Sequence, residues 1–222
     1  MTRPTRGPGR PKGARRDPAE RRAELLGHAE AAIRRYGSQV SMDQVADEAG
    51  VSKATLYDNF DGKRGLTEAL LDRYGGRILG QMAVGLDQPR TAHELVRGGI
   101  GIFVRFIETD PEIYRFIATN AGETSVIEET AEPIRDLIGA YLEASGGSRA
   151  AGEPVAHALL GAVFISAEWW AEKRTMPRTE FVDHLVAFVW AGLAGIGISD
   201  DGRPVDLTLL ARTLAEEAAK TS

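Results

Sequence analysis

Residues 40–63 read VSMDQVADEAGVSKATLYDNFDGK. Ser41 stands where a helix starts: its hydroxyl can accept the amide three residues on while Gln44 returns the bond, a capping box. Met42, Val45, Ala46 and Ala49 then share one face at helical spacing. Gly50 occupies the place where helices end in a left-handed residue, a conformation glycine adopts without steric cost. Val51 fills the corner, Ser52 caps a second helix, and Leu56 and Phe60 are the apolar pair of that helix. Lys53, Thr55, Tyr57, Asp58 and Asn59 remain outside. Two short helices, a tight glycine turn and a polar outer face on the second helix make a helix-turn-helix. A plain helix corner in an all-helical core accounts for the buried positions, but not for the polar residues gathered outside.

The same residues carry a family resemblance. Ala46, Ala49-Gly50-Val51-Ser52, Thr55-Leu56-Tyr57, Phe60 and Lys63 resemble the DNA-binding signature of the TetR/AcrR transcriptional regulators, over about residues 20–71. Gly62 and Arg64 depart from it, standing where the family commonly has Ser and Glu. The resemblance implies that Lys63 contacts a phosphate and that the helix it opens links the two domains. It also implies a small-molecule effector pocket in the remainder of the chain, a dimer interface on the last pair of long helices, and repression relieved by ligand.

At 222 residues the chain can bury the core of one large or two small domains. With 43% hydrophobic and 27% charged residues its composition is that of a soluble globular protein. Without cysteine it has neither disulfides nor thiolate metal sites. The basic start is followed by no apolar segment of a secretory signal. Charged residues interrupt every apolar run short of the roughly 18 residues of a membrane span. A cytoplasmic protein is expected.

The net charge of −5 is unevenly spread: residues 1–22 carry +6, which leaves −11 for the rest. A basic arm on an acidic body points to a polyanion met at one end. Residues 1–16, MTRPTRGPGRPKGARR, have little to bury and read as a flexible arm. Its Pro8-Gly9-Arg10-Pro11-Lys12-Gly13 resembles an AT-hook, in which an extended arginine lies in a narrow A·T-rich minor groove. A tail that only adds nonspecific phosphate affinity is the other reading. The helix-turn-helix itself, residues 41–63, carries −3. Phosphate attraction is therefore expected mainly from the arm, including Arg10, Arg15 and Arg16, with help from Lys63 and Arg64.

Along the chain, Asp17-Pro18 with Glu20 opens a first helix whose stripe is Leu25, Leu26, Ala29, Ile33 and Tyr36, ended by Gly37. A fourth helix covers 63–74, with Gly75-Gly76 as an interruption or bend and an amphipathic run from Ile78 to Leu86 beyond. Thr91 and Glu94 cap the next helix, Asp110-Pro111 starts a short one, and a longer one covers 125–144. Two apolar helices, 153–174 and 180–196, are nonpolar around too much of their circumference to have one wet face. They read as a dimerising pair, with Leu159, Val163, Leu185, Val189, Gly192 and Leu193 at the interface. A last amphipathic helix covers 207–219.

Catalytic signals are poor. His28, His93, His157 and His184 have neither metal-ligand spacing nor a serine-acid constellation, and the glycine clusters follow no strand, so no cofactor is expected. Phe103, Phe106, Tyr114, Phe116, Tyr141, Trp169 and Trp170, with Ser166, Asn120 or Glu168 as polar groups, are candidate walls of a mostly apolar pocket. Packing of a core is the competing role for each.

The sequence thus predicts an all-α protein: a basic arm (1–17), a three-helix helix-turn-helix domain (18–78, motif 41–60) and an effector-binding and dimerisation domain (79–222). It reads as a homodimeric transcriptional regulator, a repressor released from palindromic double-stranded operator DNA by a small apolar or aromatic effector, with neither an enzyme activity nor a membrane partner. The expected DNA contacts are Ser41, Ser52, Lys53, Thr55, Tyr57, Asn59, Lys63 and the arm. A ligand-binding module without operator recognition, or an architectural DNA binder acting through the arm alone, are the alternatives.

Overall fold

In the computed structural model, which describes residues 17–83, 91–121 and 123–199, the described residues form nine α-helices and no strand. They are α1 (Pro18–Tyr36), α2 (Met42–Ala49), α3 (Lys53–Phe60), α4 (Gly62–Ala83), α5 (Ala92–Thr109), α6 (Pro111–Ala121), α7 (Glu123–Ala144), α8 (Gly152–Lys173) and α9 (Arg178–Gly195). A 3-10 turn, Arg149–Ala151, precedes α8.

The capping residues set the ends. Ser41 and Gln44 exchange both bonds of the box, at 3.2 and 2.9 Å. Gly50 ends α2 at φ 63°, and the Ser52 hydroxyl accepts the Thr55 amide at 3.2 Å. Thr91 and Glu94 form a second box at the head of α5. At α1 the Asp17 carboxylate accepts the Ala19 amide, so the expected partnership with Glu20 does not form.

Other expectations are corrected. Gly75-Gly76 does not interrupt α4, which continues to Ala83. The two glycines cost a helix about 1 kcal/mol each, too little to break one anchored by the buried Leu66, Leu70 and Tyr74. Tyr36 turns outward instead of completing the α1 stripe. Helix α7 passes through Pro133 and begins at Glu123. The helix expected at 207–219 and the arm, with Arg10, Arg15 and Arg16, lie outside the described residues. The stretch Arg149–Lys173 is long and apolar enough by composition to cross a membrane, contrary to the sequence reading. Here its Ala156, Leu160, Val163, Ala167 and Trp170 pack into the core.

Two cores result. The first gathers Leu25, Ile33, Val45, Leu56, Phe60, Leu66 and Leu70 of α1–α4, and α6 completes it with Ile113, Phe116 and Ile117. The second joins α5 to α7, α8 and α9 around Val104, Ile107, Leu160, Val186 and Trp170. Helix α6 thus belongs to both: Tyr114 faces the second core, Phe116 the first. Polar groups pin the same junction. Arg34 of α1 donates to Asp110 at 2.7 Å and to the Tyr74 hydroxyl at 2.8 Å, and the Ser38 amide donates to Glu112 at 2.9 Å. Glu30, buried, accepts from Arg73 at 2.8 Å. Burial pushes the Tyr74 phenol above its ordinary pKa.

Candidate nucleic-acid interface

Leu56 and Phe60 root α3 in the first core, and this fixes which of its side chains face out. Lys53, Ala54, Tyr57 and Asp58 are exposed, and Tyr57 keeps 46% of its surface in solvent. Arg22 of α1 braces the far end of the helix, its guanidinium 5.2 Å from the Phe60 ring centre and donating to the Asn59 carbonyl.

The expected contact residues divide into two groups. Lys53 and Tyr57 project outward; Ser41 and Ser52 are exposed but engaged as caps, and the Ser52 hydroxyl also lies 2.9 Å from that of Thr55. Thr55 is half-buried. Asn59 is turned onto its own helix, where its amide donates to the Thr55 carbonyl at 2.7 Å. Lys63, half-buried, places its Nζ 5.2 Å from the centre of the Phe116 ring. Ala54 was missed by the sequence reading. It lies one turn before Asp58 on the exposed face, and a methyl group there suits a thymine methyl; its place among polar neighbours was the available signal.

Ion pairing keeps the head electrostatically quiet. Lys53 donates to Asp43, whose carboxylate holds the ammonium above its usual pKa by hydrogen bond and charge. Arg35 pairs with Glu48, and Arg64 with Asp61 and Glu68. Most cations of the head are therefore already matched by carboxylates.

The residues expected to line one effector pocket do not converge. Phe103, Phe164, Tyr114, Phe106 and Tyr74 form a chain of ring contacts, with centres 4.4 to 6.3 Å apart. Phe116 belongs to the first core, on the other side of α6. Trp170 stacks on Phe181 and donates to the Met176 carbonyl, and the Tyr141 hydroxyl donates to the Ser199 carbonyl. Ser166 is half-buried, Glu168 exposed, and Asn120 donates to the Phe116 carbonyl. Trp169 is 47% exposed.

The expected interface residues are also displaced. Val163, Leu185, Val189 and Leu193 are buried within one protomer, and Leu159 packs against them. Of the six, Gly192 alone is exposed. The outward faces of α8 and α9 instead present Ile165 (64% exposed), Trp169 and Phe188 (68%). The histidines are scattered: His93 stands edge-on to Trp190, while His157 and His184 lie beside Glu153 and Glu180.

Comparison with known proteins agrees with this architecture. Residues 25–70 match the model of bacterial regulatory proteins of the tetR family, and residues 81–205 match the tetracyclin repressor-like C-terminal domain. An uncharacterized HTH-type transcriptional regulator of Mycobacterium tuberculosis is 33% identical over 184 residues, covering 80% of this chain and 79% of its own length. The HTH-type transcriptional activator FasR of Mycolicibacterium smegmatis is 28% identical over 86% of this chain and 91% of its own. A TetR-like transcriptional regulator from Rhodococcus sp. RHA1, of known crystal structure, superposes with a TM-score of 0.58 at 25% identity, covering 80% of this chain and 97% of that one. With both halves of the chain matched and the reading helix built on Leu56 and Phe60, this protein belongs to the TetR family of DNA-binding transcriptional regulators.

Proposed function

We propose that this regulator is a homodimeric repressor that leaves a palindromic operator when a small molecule binds its larger domain. The observation that carries the reading is the exposed face of α3, where Lys53, Ala54 and Tyr57 stand on a helix held from behind by Leu56 and Phe60. Two such helices enter successive major grooves, with centres about 34–36 Å apart or a multiple of that. Tyr57 and Lys63 hold phosphates, Lys53 and Thr55 meet base edges or adjacent phosphates, and the basic arm follows the flanking minor groove. Such a regulator works where the chromosome is, in the cytoplasm.

The second copy docks on the outer faces of α8 and α9. Ile165, Trp169 and Phe188 there form an apolar surface, and Ala187, Ala191 and Gly192 beside Phe188 leave room for close helix approach. The effector acts through its differential affinity for two spacings of the reading heads.

Binding of the full-length protein to the DNA immediately upstream of its own gene, against a scrambled duplex at two salt concentrations, tests the reading. A preference that survives higher salt and is lost in a Lys53→Ala/Thr55→Ala double variant supports it. Equal, steeply salt-sensitive binding to both duplexes supports DNA attachment through the arm alone. Transcription that falls, rather than rises, when the gene is deleted makes the protein an activator.

A further inference from the structure

The aromatic side chains of the larger domain close on one another, and the open space lies elsewhere. A cleft of about 700 Å³ opens between α5 and the first turns of α9, beside the end of α4. That volume suits a small molecule, since ligand pockets span roughly 300–1,000 Å³. Arg97 and Arg105 stand two turns apart on one face of α5, with Gly101 midway between them. A Cβ on Gly101 would meet nothing within 4 Å, so the cleft keeps a hollow at this position of its α5 wall. Arg178 of α9 adds a third cation, and Ile102 with Val182 gives the cleft an apolar wall.

The charges are not equally available. Arg97 is ion-paired with Asp183, and Arg178 donates to Glu108 at 2.7 Å; Glu108 also pairs with Arg174. Glu94, at the cleft edge, has its carboxylate on the Thr91 amide. The Arg105 guanidinium has no hydrogen-bond or ion-pair partner among the described residues, while it lines the cleft. One unmatched cation calls for one negative charge. The planar fork of arginine matches a carboxylate bidentately, and the Ile102–Val182 wall offers burial to an apolar tail.

We propose that this cleft binds a small amphiphilic carboxylate, its head on Arg105 with Arg178 within the same site, its tail along Ile102 and Val182. This narrows the small apolar or aromatic effector expected from the sequence to an amphiphile that carries one negative charge. The effector role of the ligand rests on the regulator reading above; the binding site does not. A carboxylate there adds to the Arg97–Asp183 and Arg178–Glu108 pairs that already join α5 to α9, using the Arg105 charge that neither pair engages.

Calorimetric titration of the full-length protein with octanoate, decanoate and 4-phenylbutyrate tests the site, with 1-octanol, 1-decanol, 4-phenylbutanol and acetate as controls. At least one carboxylate is expected to bind tenfold or more tighter than its matched alcohol and than acetate. Arg105→Gln, an exposed position, is expected to weaken that binding at least tenfold with an unchanged melting curve, and Gly101→Leu to abolish it by filling the hollow. Failure of all three carboxylates, equal binding of the alcohols or of acetate, or an unaltered affinity in Arg105→Gln overturns the proposal. Binding to the upstream DNA on the same preparations separates the two readings. Carboxylate binding without specific DNA binding removes the regulator and keeps the site; the converse removes the site and keeps the regulator.

Discussion

Lys53, the first residue of the reading helix, is held by Asp43 of the preceding helix, its Nζ 2.9 and 3.1 Å from the two carboxylate oxygens. Both side chains are largely in solvent, so the pair adds little to stability. Its consequence is for recognition, because DNA must compete with Asp43 for the ammonium. Asp43→Asn is expected to raise DNA affinity by about 3–10-fold and to steepen the salt dependence by roughly one released counterion. Fluorescence anisotropy across a salt series measures both, and an unchanged affinity would take Lys53 out of the interface.

Glu30 is the buried anion of the junction, shared by Arg34 and Arg73. Only the carboxylate is buried: without it Arg73 loses its ion pair, while Arg34, half in solvent, keeps Asp110. Glu30→Ala is expected to cost about 1.5–3 kcal/mol in urea unfolding. A loss below about 1 kcal/mol would show that the two arginines find water instead.

Gly65 lies on α4 against the last turn of α3, where a Cβ would sit 1.7 Å from the Phe60 carbonyl oxygen. The obstacle is backbone, which no side-chain rotation relieves. Gly65→Ala is expected to destabilise by about 3 kcal/mol and to abolish DNA binding. At Gly76, exposed in the same helix, a Cβ meets nothing, and Gly76→Ala is expected to stabilise by about 0.5–1 kcal/mol. Thermal melts of both variants check the pair of signs.

Phe188→Glu is expected to yield folded monomers by light scattering, because the residue stands outside its own core. Leu193→Glu is expected to lose helical circular dichroism instead, since Leu193 is 5% exposed within one protomer. A dimer that persists in Phe188→Glu and Trp169→Glu would place the second copy elsewhere.

These contrasts mark what could be read along the chain and what could not. Helix starts were legible where a side chain caps its own neighbours: Ser41 with Gln44, Ser52 with Thr55, Thr91 with Glu94. Such signals are local, and sequence spacing carries them whole. The inner face of α9 was not legible. Leu185, Val189 and Leu193 point in while Phe188 and Ala191 point out, yet both sets are apolar and periodicity has nothing to contrast. The cleft escaped for another reason: Arg97 and Arg178 come from distant segments, and only folding shows that Asp183 and Glu108 neutralise them while Arg105 is left over. Size alone does not tell an aromatic residue that walls a pocket from one that fills a core.

The unbroken course of α4 has a mechanical meaning. Lys63 stands in its first turn and Gln81, which borders the arginine cleft, near its last. Eighteen residues of helix separate them, a rod of about 27 Å. A tilt of only about 5° about one end of such a rod carries the other by about 2 Å, enough to take a donor out of hydrogen-bonding range of a phosphate. On the proposed reading, a ligand in the cleft needs no large rearrangement to be felt at the DNA. The rod converts a small angle into a decisive distance, and Gly75-Gly76 sets how much of that angle is lost to flexure along the way.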